Sequence, residues 1–143
     1  MHIEIRTEPF RITIHGYSGI ASGKHDTATT FKLMDKMWQV VKSKQLPNKG
    51  LNVWVYEEGM KVFAGVELND VSSPELEKMS ICLEKYAYFK HIGPYHLIRN
   101  SGEKMIDELK RKGHETTLPY IEIYGHWNDD ETKLETELIM SLK

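Results

Sequence analysis

Val53-Trp54-Val55-Tyr56 and Ile121-Glu122-Ile123-Tyr124 are two copies of one pattern. In each, a β-branched residue at every odd position alternates with an aromatic or acidic residue at every even one. That is the period of a strand with two unlike faces. Each copy is followed by a turn and an alternating return strand. After Tyr56, Glu57-Glu58-Gly59 turns the chain, and Val62, Ala64, Val66 and Leu68 share a face. After Tyr124, residues 127–132 turn it, and Thr136, Leu138, Met140 and Leu142 match the first set.

Outward from each hairpin stands a helix, and before each helix a strand. Phe31, Met34, Trp38 and Val41 fall at helical spacing within Thr27–Ser43, with Asp26 or Thr27 as N-cap and a stop before Pro47. Leu97, Ile98, Met105, Ile106 and Leu109 are the apolar positions of a second helix over Tyr95–Arg111, ending at Gly113. Upstream of the first helix, Phe10–Tyr17 alternates and runs into a glycine-rich turn over Gly16–Gly23. Upstream of the second, Ile81–Ile92 reads as one long strand broken by Gly93-Pro94. Met1–Thr7 adds an edge strand, and residues 69–79, with Ser72-Ser73-Pro74, read as a connector. The prediction is an α+β fold in one domain, 1–143. A strand–helix–strand–strand unit is used twice, over about 8–68 and 80–143, and the antiparallel sheet carries two helices on one face and a ligand cleft on the other.

A chain of 143 residues can bury a self-sufficient core. Its 19 Lys and Arg against 21 Asp and Glu leave a net charge of -2, which weighs against direct nucleic-acid binding, since that rests on many cationic contacts to phosphate. The densest cations, Lys110-Arg111-Lys112, fall at a helix C-terminus, where they complement the dipole. No apolar run approaches the ~20 residues of a membrane span, so no membrane association is expected. Met1–Arg6 alternates charged and apolar residues instead of showing a signal-peptide pattern. The single cysteine, Cys82, sits between Ile81 and Leu83 and reads as a structural thiol; the expected setting is the cytoplasm.

Several other chemistries fail on spacing. Gly19–Lys24 is not a phosphate loop, and His25 stands where Ser or Thr is needed. Gly16-Tyr17-Ser18-Gly19 places its second glycine one residue early for a nucleophile elbow. The seven histidines form no ligand pair, and His91 and His96, around Gly93-Pro94, read as turn packing. Asp129-Asp130-Glu131 lacks calcium-loop spacing. No metal and no cofactor are expected.

The face away from the helices is the informative one. Strand parity sends Trp54 and Tyr56 there from the first unit, and Tyr120, Glu122 and Tyr124 from the second. With short hairpin turns, Phe63 stands across from Trp54, and Glu137 across from Glu122. An aromatic sheet face either takes a ligand or is covered by a loop or a second copy, and the residues leave both open. A carboxylate flanked by tyrosines can receive a cation, hydrogen-bond a neutral ligand or move a proton.

Tyr86-Ala87-Tyr88-Phe89-Lys90-His91-Ile92-Gly93-Pro94-Tyr95, Tyr120-Ile121-Glu122-Ile123-Tyr124 and Thr136-Glu137-Leu138-Ile139 together resemble the GyrI-like small-molecule-binding family. That family includes the effector-binding domains of multidrug-responsive transcription activators, and the resemblance spans nearly the whole chain. It implies two units about a pseudo-twofold axis, with a cleft at their seam opposite the helices. It also implies a buried pocket glutamate at Glu122 and pocket aromatics at Trp54, Tyr56 and Tyr124. In the H-x-G-P-Y stretch, Gly93 and Pro94 form the turn into the second helix. Ser141-Leu142 stands where the family's last strand often has a proline. The activators' helix-turn-helix finds no room in this length, so a stand-alone member is expected.

The resemblance implies three roles. The first is sequestering flat, lipophilic, often cationic aromatic molecules; the face read from strand parity and hairpin pairing would supply Trp54, Tyr56, Phe63, Tyr120 and Glu137 as binding residues, with cation–π contact adding about 0.5–2 kcal/mol. The second is hydrolysis of strained cyclopropane-bearing DNA-alkylating compounds. Glu122 would be general base to water, Tyr124 or Tyr56 donor to the developing phenolate, and Trp54 a stacking platform. The third is antagonism of DNA gyrase or its toxins, for which no surface feature speaks. The oligomeric state is left open.

Overall fold

Seven alternating segments give eight strands and two stretches of helical period become helices in a computed structural model that describes residues 1–23, 25–69 and 75–143. Lys24 and the Ser72-Ser73-Pro74 part of the expected connector lie outside the described residues. The order is β1 (Glu4–Arg6), β2 (Phe10–Ile20), α1 (Ala28–Ser43), β3 (Val53–Tyr56), β4 (Lys61–Val66), β5 (Glu77–Leu83), β6 (Tyr86–Ile92), α2 (Ile98–Arg111), β7 (Thr116–Tyr124) and β8 (Glu135–Leu142). The strands form one antiparallel sheet, ordered β1-β6-β8-β7-β3-β4-β2-β5.

That order is the same from either end when β2-α1-β3-β4 is set against β6-α2-β7-β8. Even single backbone bonds repeat. Ala21 N–H donates to Met60 and Gly93 N–H to Leu134, both at 2.8 Å, and Glu57 N–H donates to Lys61 and Gly125 N–H to Glu135, again both at 2.8 Å. The pseudo-twofold passes between β3 and β7. Trp54 and Glu122 are equivalent positions in the two units, and they are also direct cross-strand partners.

Three boundaries differ from the sequence reading, the first being that β5 begins at Glu77, inside the connector expected over 69–79. The long strand expected over Ile81–Ile92 is two strands, β5 on β2 and β6 on β8, with Glu84-Lys85 between them. The expected glycine-rich turn is strand as far as Ile20. Gly16 there serves a close approach: a Cβ on it would stand 1.8 Å from the Ala64 carbonyl oxygen of β4. Both N-cap candidates serve the start of α1: the Thr27 carbonyl accepts from Phe31 N–H at 3.0 Å, and the Asp26 carboxylate accepts from Thr29 N–H at 3.3 Å and Thr29 Oγ1 at 2.7 Å.

The sheet curls, and its aliphatic face closes on itself. Ile12, Ile14, Val55, Phe63, Ile121 and Ile139, drawn from both halves, share one core. Phe10 on β2 and Tyr86 on β6, far apart in the strand order, bring their rings within 5.7 Å. Each large aliphatic buried this way contributes about 1.5–3 kcal/mol, and no helix is needed to cover it. Both helices therefore lie on the outer face. On α1, Met37 and Val41 pack with Val66. On α2, Ile98, Met105 and Leu109 pack with Ala87, Leu138 and Met140. The α+β architecture with two helices on one face stands, but the cleft side is corrected. Tyr120 and Tyr124 pack against the α2 cluster, so the face of Glu122 is the face the helices share. Among the described residues, no helix is long and apolar enough to cross a membrane.

Candidate functional site

The site lies on the outer face of β3 and β7, between α1 and the start of α2. Cross-strand pairing sets Trp54 beside Glu122 and Tyr56 beside Tyr120. The period of two then adds Tyr124 to the same face. Glu122 is 6% exposed. Its two oxygens receive three phenol hydroxyls: Tyr56 at 3.1 Å and Tyr124 at 2.5 Å on Oε1, and Tyr120 at 2.7 Å on Oε2. A carboxylate has about four acceptor positions, so most of its capacity is taken. Among the described residues, no Lys, Arg or His forms an ion pair with it.

Charge-assisted O–H donors offset much of the cost of burying a carboxylate. Burial, and then the neighbouring Glu122 carboxylate, push Tyr56, Tyr120 and Tyr124 well above the usual phenol range. They remain protonated donors throughout physiological pH. The result is a carboxylate held by neutral hydroxyls and walled by rings.

Those rings extend past the glutamate. Tyr56 and Tyr120 stack at 5.4 Å. Phe31 on α1 meets Trp54 edge-on at 4.9 Å, Trp54 meets Tyr124 at 5.2 Å, and Tyr124 meets Tyr95 at 5.6 Å. Trp54 is 4% exposed, and its indole N–H has no hydrogen-bond partner among the described residues. Phe31 and Tyr95, at 50% and 39% exposed, open the cluster to solvent. Tyr95 is held by its turn. His91 Nε2 donates to the Pro94 carbonyl at 3.1 Å, and His91 Nδ1 accepts from Ser101 at 2.8 Å. Gly93, at φ 141°, supplies the backbone angle that a side chain would resist.

Five of the residues singled out from sequence, Trp54, Tyr56, Tyr120, Glu122 and Tyr124, come together here. Two do not. Phe63 pairs with Val55, not Trp54, and lies 2% exposed in the core of the opposite face. Glu137 pairs with Ile123, not Glu122, and accepts the Tyr88 hydroxyl at 2.7 Å on that same opposite face. In both hairpins the register is displaced by one residue from the tight turns expected. The β3–β4 turn carries Gly59 and Met60 at positive φ, and the β7–β8 loop runs over 125–134. A one-residue slip sends a side chain through the sheet. Phe31 and Tyr95 were missed as site residues. Phe31 carries only the signal of a helix stripe, and Tyr95 only that of a helix start.

A curled antiparallel sheet of two β-α-β-β units, with an acid at their seam under aromatic cover, places the chain among small-molecule-binding domains of the α+β class. The chain belongs to the family described as GyrI-like small molecule binding domain, whose profile matches residues 20–143. Among solved structures, it is similar to SAV2435 bound to tetraphenylphosphonium, at 17% identity and TM-score 0.71, covering 100% of this chain and 94% of that one. It is similar to the EcmrR C-terminal domain, at 18% identity and TM-score 0.70, covering 100% and 99%. A hydrolase from Listeria innocua matches at 12% identity and TM-score 0.55, covering 96% and 93%. At these identities the likeness is one of fold. No curated protein matches the chain.

Proposed function

We propose that this domain binds lipophilic aromatic cations against Glu122 and protects the cytoplasm by sequestering them. The observation that carries this reading is the glutamate itself: a nearly buried carboxylate with three phenol donors and no cationic partner among the described residues. Such a centre is completed by a positive charge brought from outside. Around it Trp54 and Tyr124 form a buried aromatic wall, and the more open rings of Phe31 and Tyr95 ask little of a ligand's hydrogen-bond pattern. The tetraphenylphosphonium held by a protein of the same fold is a ligand of this chemistry.

Hydrolysis of a cyclopropane-bearing alkylator by the same residues is less well served. A general base must be within reach of its water, yet three hydroxyls already occupy Glu122. The tyrosines that would donate to a phenolate spend their protons on the glutamate. One experiment separates the two readings. Wild-type protein is titrated with tetraphenylphosphonium by calorimetry, and separately incubated with a cyclopropanoid, with the mixture examined by mass spectrometry. Saturable binding of the cation and an unchanged cyclopropanoid support sequestration. A ring-opened, hydrated product together with no cation binding overturns it.

A further inference from the structure

The aromatic row does not stop at Tyr95. Trp127, in the β7–β8 loop, brings its ring within 6.2 Å of Tyr95 at a tilt of 56°. Rings thus follow one another from Phe31 through Trp54, Tyr124 and Tyr95 to Trp127, each step 4.9 to 6.2 Å. Exposure rises outward from the buried middle, from Trp54 at 4% to Tyr95 at 39% and Trp127 at 65%. A tryptophan that open is placed against the usual preference for burying so large a ring.

The pseudo-twofold sharpens the point. The equivalent β3–β4 turn occupies only 57–60, whereas the β7–β8 loop occupies 125–134 and brings Trp127 with it. The loop is internally braced. Trp127 Nε1 donates to Asp129 at 3.1 Å, Asp130 N–H to Asn128 at 2.9 Å, and Thr132 N–H to Asp130 at 3.0 Å. Trp127 is therefore held in a preformed position beside Tyr95, with its indole N–H already satisfied and its ring free to be covered.

We infer that Tyr95 and Trp127 form an outer subsite that takes the second aromatic unit of an elongated cation whose charged end lies toward Glu122. This rests on the binding reading above and adds a length preference to it. A compact cation fills the inner site alone. A ligand with a further coplanar ring reaches the outer pair and gains one more ring–ring contact.

The test compares tetraphenylphosphonium with a styrylpyridinium cation extended by a further phenyl ring, on wild-type protein, Trp127→Ala and Trp127→Phe, by calorimetry. Circular dichroism confirms that each variant is folded. Trp127→Ala weakens the elongated cation about three- to tenfold and leaves tetraphenylphosphonium within about twofold, while Trp127→Phe recovers most of the loss. Equal affinity of wild type and Trp127→Ala for the elongated cation overturns the outer subsite and leaves the inner one standing. An equal loss for both cations overturns the length preference. Failure of wild type to bind either cation refutes the inner site itself.

Discussion

Replacing the Glu122 carboxylate with an amide changes shape little and charge completely. Glu122→Gln is therefore the sharpest perturbation of the binding account. A tetraarylphosphonium shields its charge with its own rings, which sets its separation from the carboxylate at about 6 Å. At an effective dielectric near 20, the attraction to a buried carboxylate at that distance is about 2–3 kcal/mol. Its loss weakens the cation by about 30- to 150-fold. The neutral triphenylphosphine oxide, with three of the same rings, should change by no more than about twofold, because ring contacts contribute area and not charge. Because Glu122 is only 6% exposed, the wild-type affinity should be nearly independent of salt, unlike that of a surface pair. The assay is quenching of tryptophan fluorescence checked by calorimetry, with melting curves to confirm folding. A variant that binds the phosphonium as tightly as wild type, or that loses the neutral ligand equally, refutes the electrostatic reasoning.

Other consequences follow from the same geometry. Tyr124→Phe keeps the ring but takes one donor from a buried carboxylate, at a cost of about 1–3 kcal/mol in urea unfolding. Tyr56, Tyr120 and Tyr124 titrate above the usual phenol range, so the folded state keeps protons that the unfolded chain sheds above pH ~10. Stability is thus intact below that pH and lost as pH rises beyond it, and in an absorbance titration these three tyrosines ionise only as the fold is lost. Phe63→Ala empties a core position at a cost of about 3–5 kcal/mol, yet the folded fraction binds tetraphenylphosphonium within about twofold of wild type, as does Glu137→Gln, since both face away from the site.

The duplicated order of elements was readable because alternation in Val53–Tyr56 and Ile121–Tyr124 and helical spacing in α1 and α2 are local signals. Trp54, Tyr56, Tyr120, Glu122 and Tyr124 could be grouped because parity within a strand needs no knowledge of its neighbours. Which face the helices cover is not local. It follows from the curl that lets Ile12 and Ile139, remote in sequence, share a core, and nothing in either strand announces it. Register across a hairpin likewise depends on turn geometry. Gly59 and Met60 in left-handed conformation displaced Phe63 by one position and so through the sheet. The helix stripe of Phe31, Met34, Trp38 and Val41 faces the sheet, and its first member, Phe31, meets Trp54 of β3.

The central claim is tested most directly by a crystal structure of the protein with tetraphenylphosphonium bound. The account places the phosphorus over the outer face of β3 and β7, with phenyl groups against Trp54 and Tyr124 and the cationic centre within about 6 Å of a site ring centroid, on the side of Glu122. A ligand seated on any other surface, with the three tyrosine hydroxyls undisturbed on Glu122 and no ring contact to Trp54, contradicts it.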